Sequence, residues 1–116
     1  MRSHQDTTLD RQIVALQSLL PQLDAEWETL SRSIQADQQG LTILGQHWEE
    51  LSMLLRAEPE PLTHSIAAVI GQMDTLERQM RQVGEEIARK QLLRRALEQR
   101  FDEVRLVLCT LQQQGV

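Results

Sequence analysis

The stretch LDAEWETLSRSI, residues 23–34, places Leu23, Trp27, Leu30 and Ile34 at steps of four, three and four. Steps that average 3.5 residues keep one apolar stripe facing a neighbouring helix in a coiled coil. This stretch therefore predicts a long helix whose stripe, here called the seam, packs against a second helix.

The same stepping extends through almost the whole chain and is interrupted only at Glu58, Pro59, Glu60 and Pro61. Before this point the other apolar seam positions are Leu9, Ile13, Leu16, Leu20, Leu41, Leu44, Trp48, Leu51 and Leu55. After it they are Leu62, Ile66, Val69, Met73, Leu76, Met80, Val83, Ile87, Leu97, Phe101, Val104, Leu108 and Leu111. We therefore predict an all-α fold, a long antiparallel helical hairpin (coiled coil) that self-association or a partner completes into a bundle.

The predicted organisation is a single helical-hairpin domain, residues 8–112, between a polar lead and a short tail. The parts are the lead 1–7, arm one 8–57, the joint 58–62, arm two 63–112 and the tail 113–116. Thr7 and Thr8 suit a helix start, as does Thr63, and Gly115 suits a stop. Pro21 should kink arm one because it lacks an amide donor. Gly40 is a second weak point, but the stepping stays in phase across it, so we predict continuity.

Composition narrows the class of protein. The net charge of −5 argues against nucleic-acid binding, which needs a basic stripe. No apolar run approaches the roughly 18 residues of a membrane-spanning helix, and the lone Cys109 fits a reducing compartment. We expect a soluble cytoplasmic protein without membrane insertion.

No pattern of catalytic or ligand-binding residues is recognisable. The three histidines, His4, His47 and His64, lack the spacing of metal ligands, and no phosphate loop or nucleophile motif occurs. The neighbours of Cys109 suggest a buried or partner-covered thiol. We expect no enzyme activity, no metal and no cofactor.

Charge predicts an antiparallel pairing of the arms. Residues 1–60 carry ten acidic and four basic side chains, and residues 61–116 carry seven and eight. A turn centred between residues 58 and 59 would pair residues whose numbers add to 117. Three layers are then polar: Trp27 with Lys90, Leu23 with Arg94, and Asp37 with Met80.

Polar residues on a seam usually fix register or partner number, and we predict that role for Asp37, Lys90 and Arg94. Lys90 could also lie over the Trp27 ring as a cation–π contact. A functional alternative is that Lys90 and Arg94 dock an acidic partner.

The two tryptophans belong to an internal repeat. The segment LDAEWETLS, residues 23–31, matches LGQHWEELS, residues 44–52, at a displacement of three heptads. Trp27, Trp48 and Phe101 are predicted as seam aromatics of the core. The alternative is a pocket for a ligand or partner built around a tryptophan.

Several apolar residues fall outside the seam. Leu92 and Leu93 occupy the same two heptad positions as Leu106 and Val107, and Met53 and Leu54 occupy the equivalent positions of arm one. The six residues predict a partner-binding surface for other protein helices. The partner could be a second copy, giving a homodimer, or a different protein in a heteromeric complex.

Two functions fit such a chain. The first is a non-enzymatic coiled-coil scaffold or adaptor subunit of a multiprotein assembly. The second follows from a resemblance: the elements WETL, residues 27–30, and WEEL, residues 48–51, resemble those of small helical chaperones of flagellar and type III secretion systems. That resemblance implies an export chaperone that masks a client helix.

Overall fold

The fold consists of two long helices. A computed structural model describes residues 4–57 and 63–114, and the side chains of 8–57 and 66–114. Every described residue lies in α1, His4–Ala57, or α2, Thr63–Gln114. The helices form a hairpin, and no described residue lies in a strand, so the predicted all-α helical hairpin is confirmed.

Helix α1 continues through each of its expected weak points. It contains Pro21 in its interior and remains helical across Gly40, and no described glycine has a positive φ. It also includes residues 4–7, so the helix begins before the predicted start at Thr7 and Thr8. The predicted joint 58–62, the Thr63 side chain and Gly115 lie outside what the structure describes.

The contacts divide the chain into two compact units. Unit 1 comprises Met1–Arg32 and Gln91–Val116, and unit 2 comprises Ser33–Lys90. Val104 and Leu108 are the buried apolar side chains described in unit 1, and Ile34, Leu76 and Ile87 are those in unit 2. Most other described seam residues are half-buried, because two helices cover each other on one face only.

The pairing of the helices differs from the predicted register. The residue numbers add to 125 for the contacting pairs Trp27–Glu98 and Trp48–Glu77, and to 123 and 127 for Lys90 with Ser33 and Asp37. The predicted value was 117, so the register is wrong by about one heptad. The seam positions themselves are unchanged by such a shift, because they recur every seven residues.

The outward faces of both helices are mainly polar. Glu28 and Arg32 lie 3.8 Å apart on α1, and Arg100 and Glu103 lie 3.9 Å apart on α2. Exposed pairs at these spacings contribute only about 0.2–0.5 kcal/mol each. Within the described parts of the chain, neither helix has an apolar stretch long enough to cross a membrane.

Candidate partner-binding surface

The off-seam apolar residues of α2 are open to solvent. Leu92 and Leu93 are 64% and 48% exposed, and Leu106 and Val107 are 69% and 48% exposed. All four belong to unit 1, and we call them the apolar flank. The two pairs lie 14 residues apart, with Gln99 and Arg100 at the same heptad positions between them. The flank therefore consists of two apolar pairs separated by one polar pair.

Unit 2 carries exposed apolar residues of its own. Met53 and Leu54 are exposed as the sequence led us to expect, and so are Ile43 and Ile70. Val14 and Leu19 are exposed in unit 1. These last four residues were not predicted, although each is an apolar residue off the seam and could have been found by that rule.

The polar residues Lys90 and Asp37 pair with each other. The Nζ of Lys90 donates to Asp37 Oδ2 at 2.6 Å and to Ser33 Oγ at 2.7 Å. The side chains of Lys90 and Asp37 are only 16% and 26% exposed. The predicted layers Trp27–Lys90 and Asp37–Met80 are therefore wrong, because the one-heptad shift places the carboxylate of Asp37 opposite Lys90.

Arg94 makes the contact that was predicted for Lys90. Its guanidinium carbon lies 5.9 Å from the centroid of the Trp27 ring, and its Nη1 donates to Ser31 Oγ at 3.3 Å. The predicted layer of Leu23 with Arg94 is replaced by this arrangement. A cation–π contact at Trp27 is thus present, but Arg94 supplies the cation.

A surface ion pair extends the polar layer of unit 2. Arg89 Nε donates to Glu86 Oε2 at 3.2 Å, and its Nη2 donates to Glu86 Oε1. The hydrogen bond from Arg89 holds the pKa of Glu86 below its ordinary value, and the bond raises the pKa of Arg89. Both side chains are largely open to solvent, so the pair contributes to local order more than to stability.

Both tryptophans donate a hydrogen bond from their indole to a glutamate of the opposite helix. Trp27 Nε1 lies 3.0 Å from Glu98 Oε1, and Trp48 Nε1 lies 3.1 Å from Glu77 Oε1. The two glutamates are 21 residues apart, as are the two tryptophans. The repeat in α1 was recognised in the sequence, but its counterpart in α2, where Met80 and Phe101 have the same spacing, was not predicted.

A cleft opens beside the first of these bonds, in unit 1. It measures about 260 Å³. Four half-buried apolar side chains form its floor: Leu23, Trp27, Leu97 and Phe101. Three exposed carboxylates form its rim: Asp24, Glu98 and Asp102. We call this site the Trp27 cleft. No arginine or lysine lies among its described lining residues.

A second cleft opens beside Trp48, in unit 2. It is wider, at about 820 Å³, and its lining includes Trp48 and Met80. The carboxylates here are Glu49, Glu50 and Glu77, and its described lining again contains no basic residue. Each unit therefore holds a tryptophan bonded to a glutamate and accompanied by two further carboxylates.

The described residues show little that could carry out chemistry. No group of three His, Cys, Asp or Glu side chains among them could hold a metal ion. Cys109 is free and exposed, so the hairpin itself does not bury the thiol, and coverage by a partner stays a prediction. Comparison with protein-family models, with curated proteins and with solved structures found no match.

Proposed function

We propose that this chain is a non-enzymatic scaffold or adaptor subunit of a multiprotein assembly, which binds a helix of another protein through its apolar flank. The carrying observation is that Leu92, Leu93, Leu106 and Val107 are each about half to two-thirds exposed. Burying a Leu or Val side chain is worth about 1.5–3 kcal/mol. Apolar residues grouped on one side of a helix are typical of interfaces.

The arrangement of the flank favours a helical partner. Its two pairs repeat at 14 residues, or two heptads, which is the period at which a second helix presents its own apolar stripe. A helix lying along α2 could contact both pairs and pass over Gln99 and Arg100 between them. The same geometry would serve a second copy of the chain, and the sedimentation experiment below distinguishes that outcome from binding of a different protein.

The chaperone alternative uses the same surface. Small export chaperones of the type that the WETL and WEEL elements resemble would add a third and a fourth short helix. All described residues of this chain lie in two long helices. This arrangement supports the scaffold proposal more than the chaperone proposal.

The test replaces Leu93 and Val107 by Glu in one protein. Because a glutamate cannot replace the apolar burial of Leu93 or Val107, we expect the free energy of any association that uses the flank to weaken by several kcal/mol. Helicity should be retained, since both side chains are exposed. Circular dichroism measures helicity, sedimentation over a range of concentrations measures self-association, and affinity purification with mass spectrometry from the native source identifies partners.

The matched control replaces Gln91 and Gln112 by Glu, which adds the same charge to exposed positions of α2 on the other side of the seam from Leu93 and Val107. The control should retain its partner. If the Leu93→Glu, Val107→Glu protein unfolds and the unmodified chain shows neither a dimer nor a partner, the flank is internal core and the adaptor proposal is wrong.

A further inference from the structure

We propose that the Trp27 cleft binds a lysine or arginine side chain carried by a basic amphipathic helix of another protein. This site is distinct from the apolar flank. In the heptad of α2, Glu98 follows the seam residue Leu97, whereas Leu93 and Val107 precede the seam residues Arg94 and Leu108. Positions that follow and precede the seam lie on opposite sides of it, so a partner on one side leaves the other side open.

The chemistry of the cleft favours a cation with an apolar stem. Its floor offers the side chains of Trp27 and Phe101, and aromatic ring faces attract lysine and arginine. Its rim offers the carboxylates of Asp24, Glu98 and Asp102. A purely apolar guest would remove water from these carboxylates without compensation, whereas the methylene groups of a basic side chain can cover the floor while its charge meets the rim.

Each aromatic ring of the cleft already contacts a cation of its own chain. Arg94 lies over Trp27 and Arg105 lies over Phe101, each with its guanidinium carbon 5.9 Å from the ring centroid. Neither arginine lines the cleft. Asp24 and Asp102 form no ion pair with any residue that the structure describes. Two rim carboxylates are therefore left for a cation from outside.

The size of the cleft indicates a side chain as the guest. At about 260 Å³, it falls below the roughly 300–1,000 Å³ of pockets that enclose drug-sized ligands. A side chain anchored on a helix would fill such a site, and the remaining surface of that helix would contact the protein surface around it. The net charge of −5 would speed the approach of a basic partner.

The same combination recurs in unit 2. There Trp48 is bonded to Glu77, Glu49 and Glu50 add two carboxylates, and no described basic residue lines the cleft. The tryptophan and its bonded glutamate recur with the 21-residue repeat of the sequence. The cleft beside Trp48 is wider, so we expect it to hold a basic side chain less tightly.

The experiment uses synthetic amphipathic helices of about 20 residues, long enough to form helix in water. One carries leucine and arginine, and its twin carries the neutral analogue citrulline in place of arginine. Binding is measured on the full chain with Trp48→Phe, so that the fluorescence reports Trp27. We expect the arginine peptide to bind and the citrulline peptide to bind at least about tenfold more weakly.

The variant Asp24→Asn, Asp102→Asn should weaken binding of the arginine peptide about tenfold, because it removes two charge contacts with the peptide. It keeps the hydrogen bond from Trp27 to Glu98. The matched control Glu28→Gln, Glu103→Gln removes the same charge from exposed carboxylates of unit 1 outside the cleft and should change binding less than about twofold.

Equal losses in both variants, equal binding of the two peptides, or no binding would overturn the proposal. Spermidine alone binding as tightly as the peptide, with the same response to Asp24→Asn, Asp102→Asn, would also overturn it in favour of a free polyamine. The variant Leu93→Glu, Val107→Glu should leave peptide binding unchanged, which separates this proposal from the function proposed above.

Discussion

Lys90 shows how a charged residue can occupy the seam of this hairpin with its hydrogen bonds satisfied. Its ammonium group is mostly covered and donates to both Asp37 and Ser33. A charge in such a position is tolerated because a counter-charge and a hydroxyl replace the lost water. Removing one partner alone would leave the other without its counter-charge.

Replacing Lys90 alone by Leu should destabilise the protein, because Asp37 keeps its charge and loses its partner. We expect the free energy of unfolding to fall by about 1–3 kcal/mol, less than for a fully buried pair. Replacing both Lys90 and Asp37 by Leu should be neutral or should raise it by about 1 kcal/mol or more. Urea denaturation measures both changes.

The exposed pair of Glu28 and Arg32 provides the control for this cycle. Changing both residues to Gln should alter the free energy of unfolding by less than about 1 kcal/mol. A Lys90→Leu, Asp37→Leu protein as unstable as the single variant would show that the layer stabilises the fold by more than charge pairing.

At the scale of the elements, the apolar stepping predicts both helices and their common face. It cannot predict which turn of α1 faces which turn of α2, since a pattern that repeats every seven residues looks the same after a shift of seven. The prediction relied on the centre of the turn, and that assumption placed Lys90 opposite Trp27. The pairing of polar seam residues does specify the register, because Asp37 lies opposite Lys90 only in the observed one.

Only the part of the candidate site that depends on the heptad, and not on the register, was predictable from the sequence. Exposed residues such as Leu93 and Val107 follow directly from the heptad, because an apolar residue off the seam has no partner within the hairpin. The Trp27 cleft combines side chains from both helices, so its composition depends on register. Glu98 could have been identified only by noticing that the 21-residue repeat also occurs in α2.

The glycines inside the helices predict an element-scale gain in stability. A Cβ added at Gly40 or Gly71 would meet no atom within 4 Å, and both residues lie inside continuous helix. Each change to Ala should therefore raise the free energy of unfolding by about 0.5–1 kcal/mol. Thermal unfolding followed by circular dichroism measures the gain.

Gln39→Ala is the control for that experiment, since glutamine and alanine differ little in helix propensity and the residue is exposed. It should leave the midpoint nearly unchanged. A loss of stability at Gly40 would mean that the helix needs the freedom of glycine there.

For the molecule as a whole, the register between α1 and α2 determines which side chains of the two helices meet at each cleft. Gly45 and Met80 line one cleft, so cysteines at these two positions should be joined readily by a short bifunctional thiol reagent in a Cys109→Ser background. Cysteines at Gly45 and Met73 should be joined poorly, because Met73 lies one heptad before Met80, which is about 10 Å away along the axis of α2. Gel mobility and mass spectrometry of the crosslinked peptides measure both yields.

Equal yields from the two cysteine pairs would contradict a single register. That result would also weaken the proposal for the Trp27 cleft, because a shift of one heptad would move Glu98 and Phe101 away from Trp27.

Lys90 is the only lysine of the sequence, so the one side-chain primary amine of this chain is held in an ion pair between two helices. The amine must reach an acylating reagent or an acetyltransferase to be modified, and its contacts with Asp37 and Ser33 restrict that access while the layer is closed. The rate of acetylation at Lys90 therefore measures how often this part of the hairpin separates. A partner that clamps the two helices together would slow that rate, which makes amine acetylation a direct assay for partner binding.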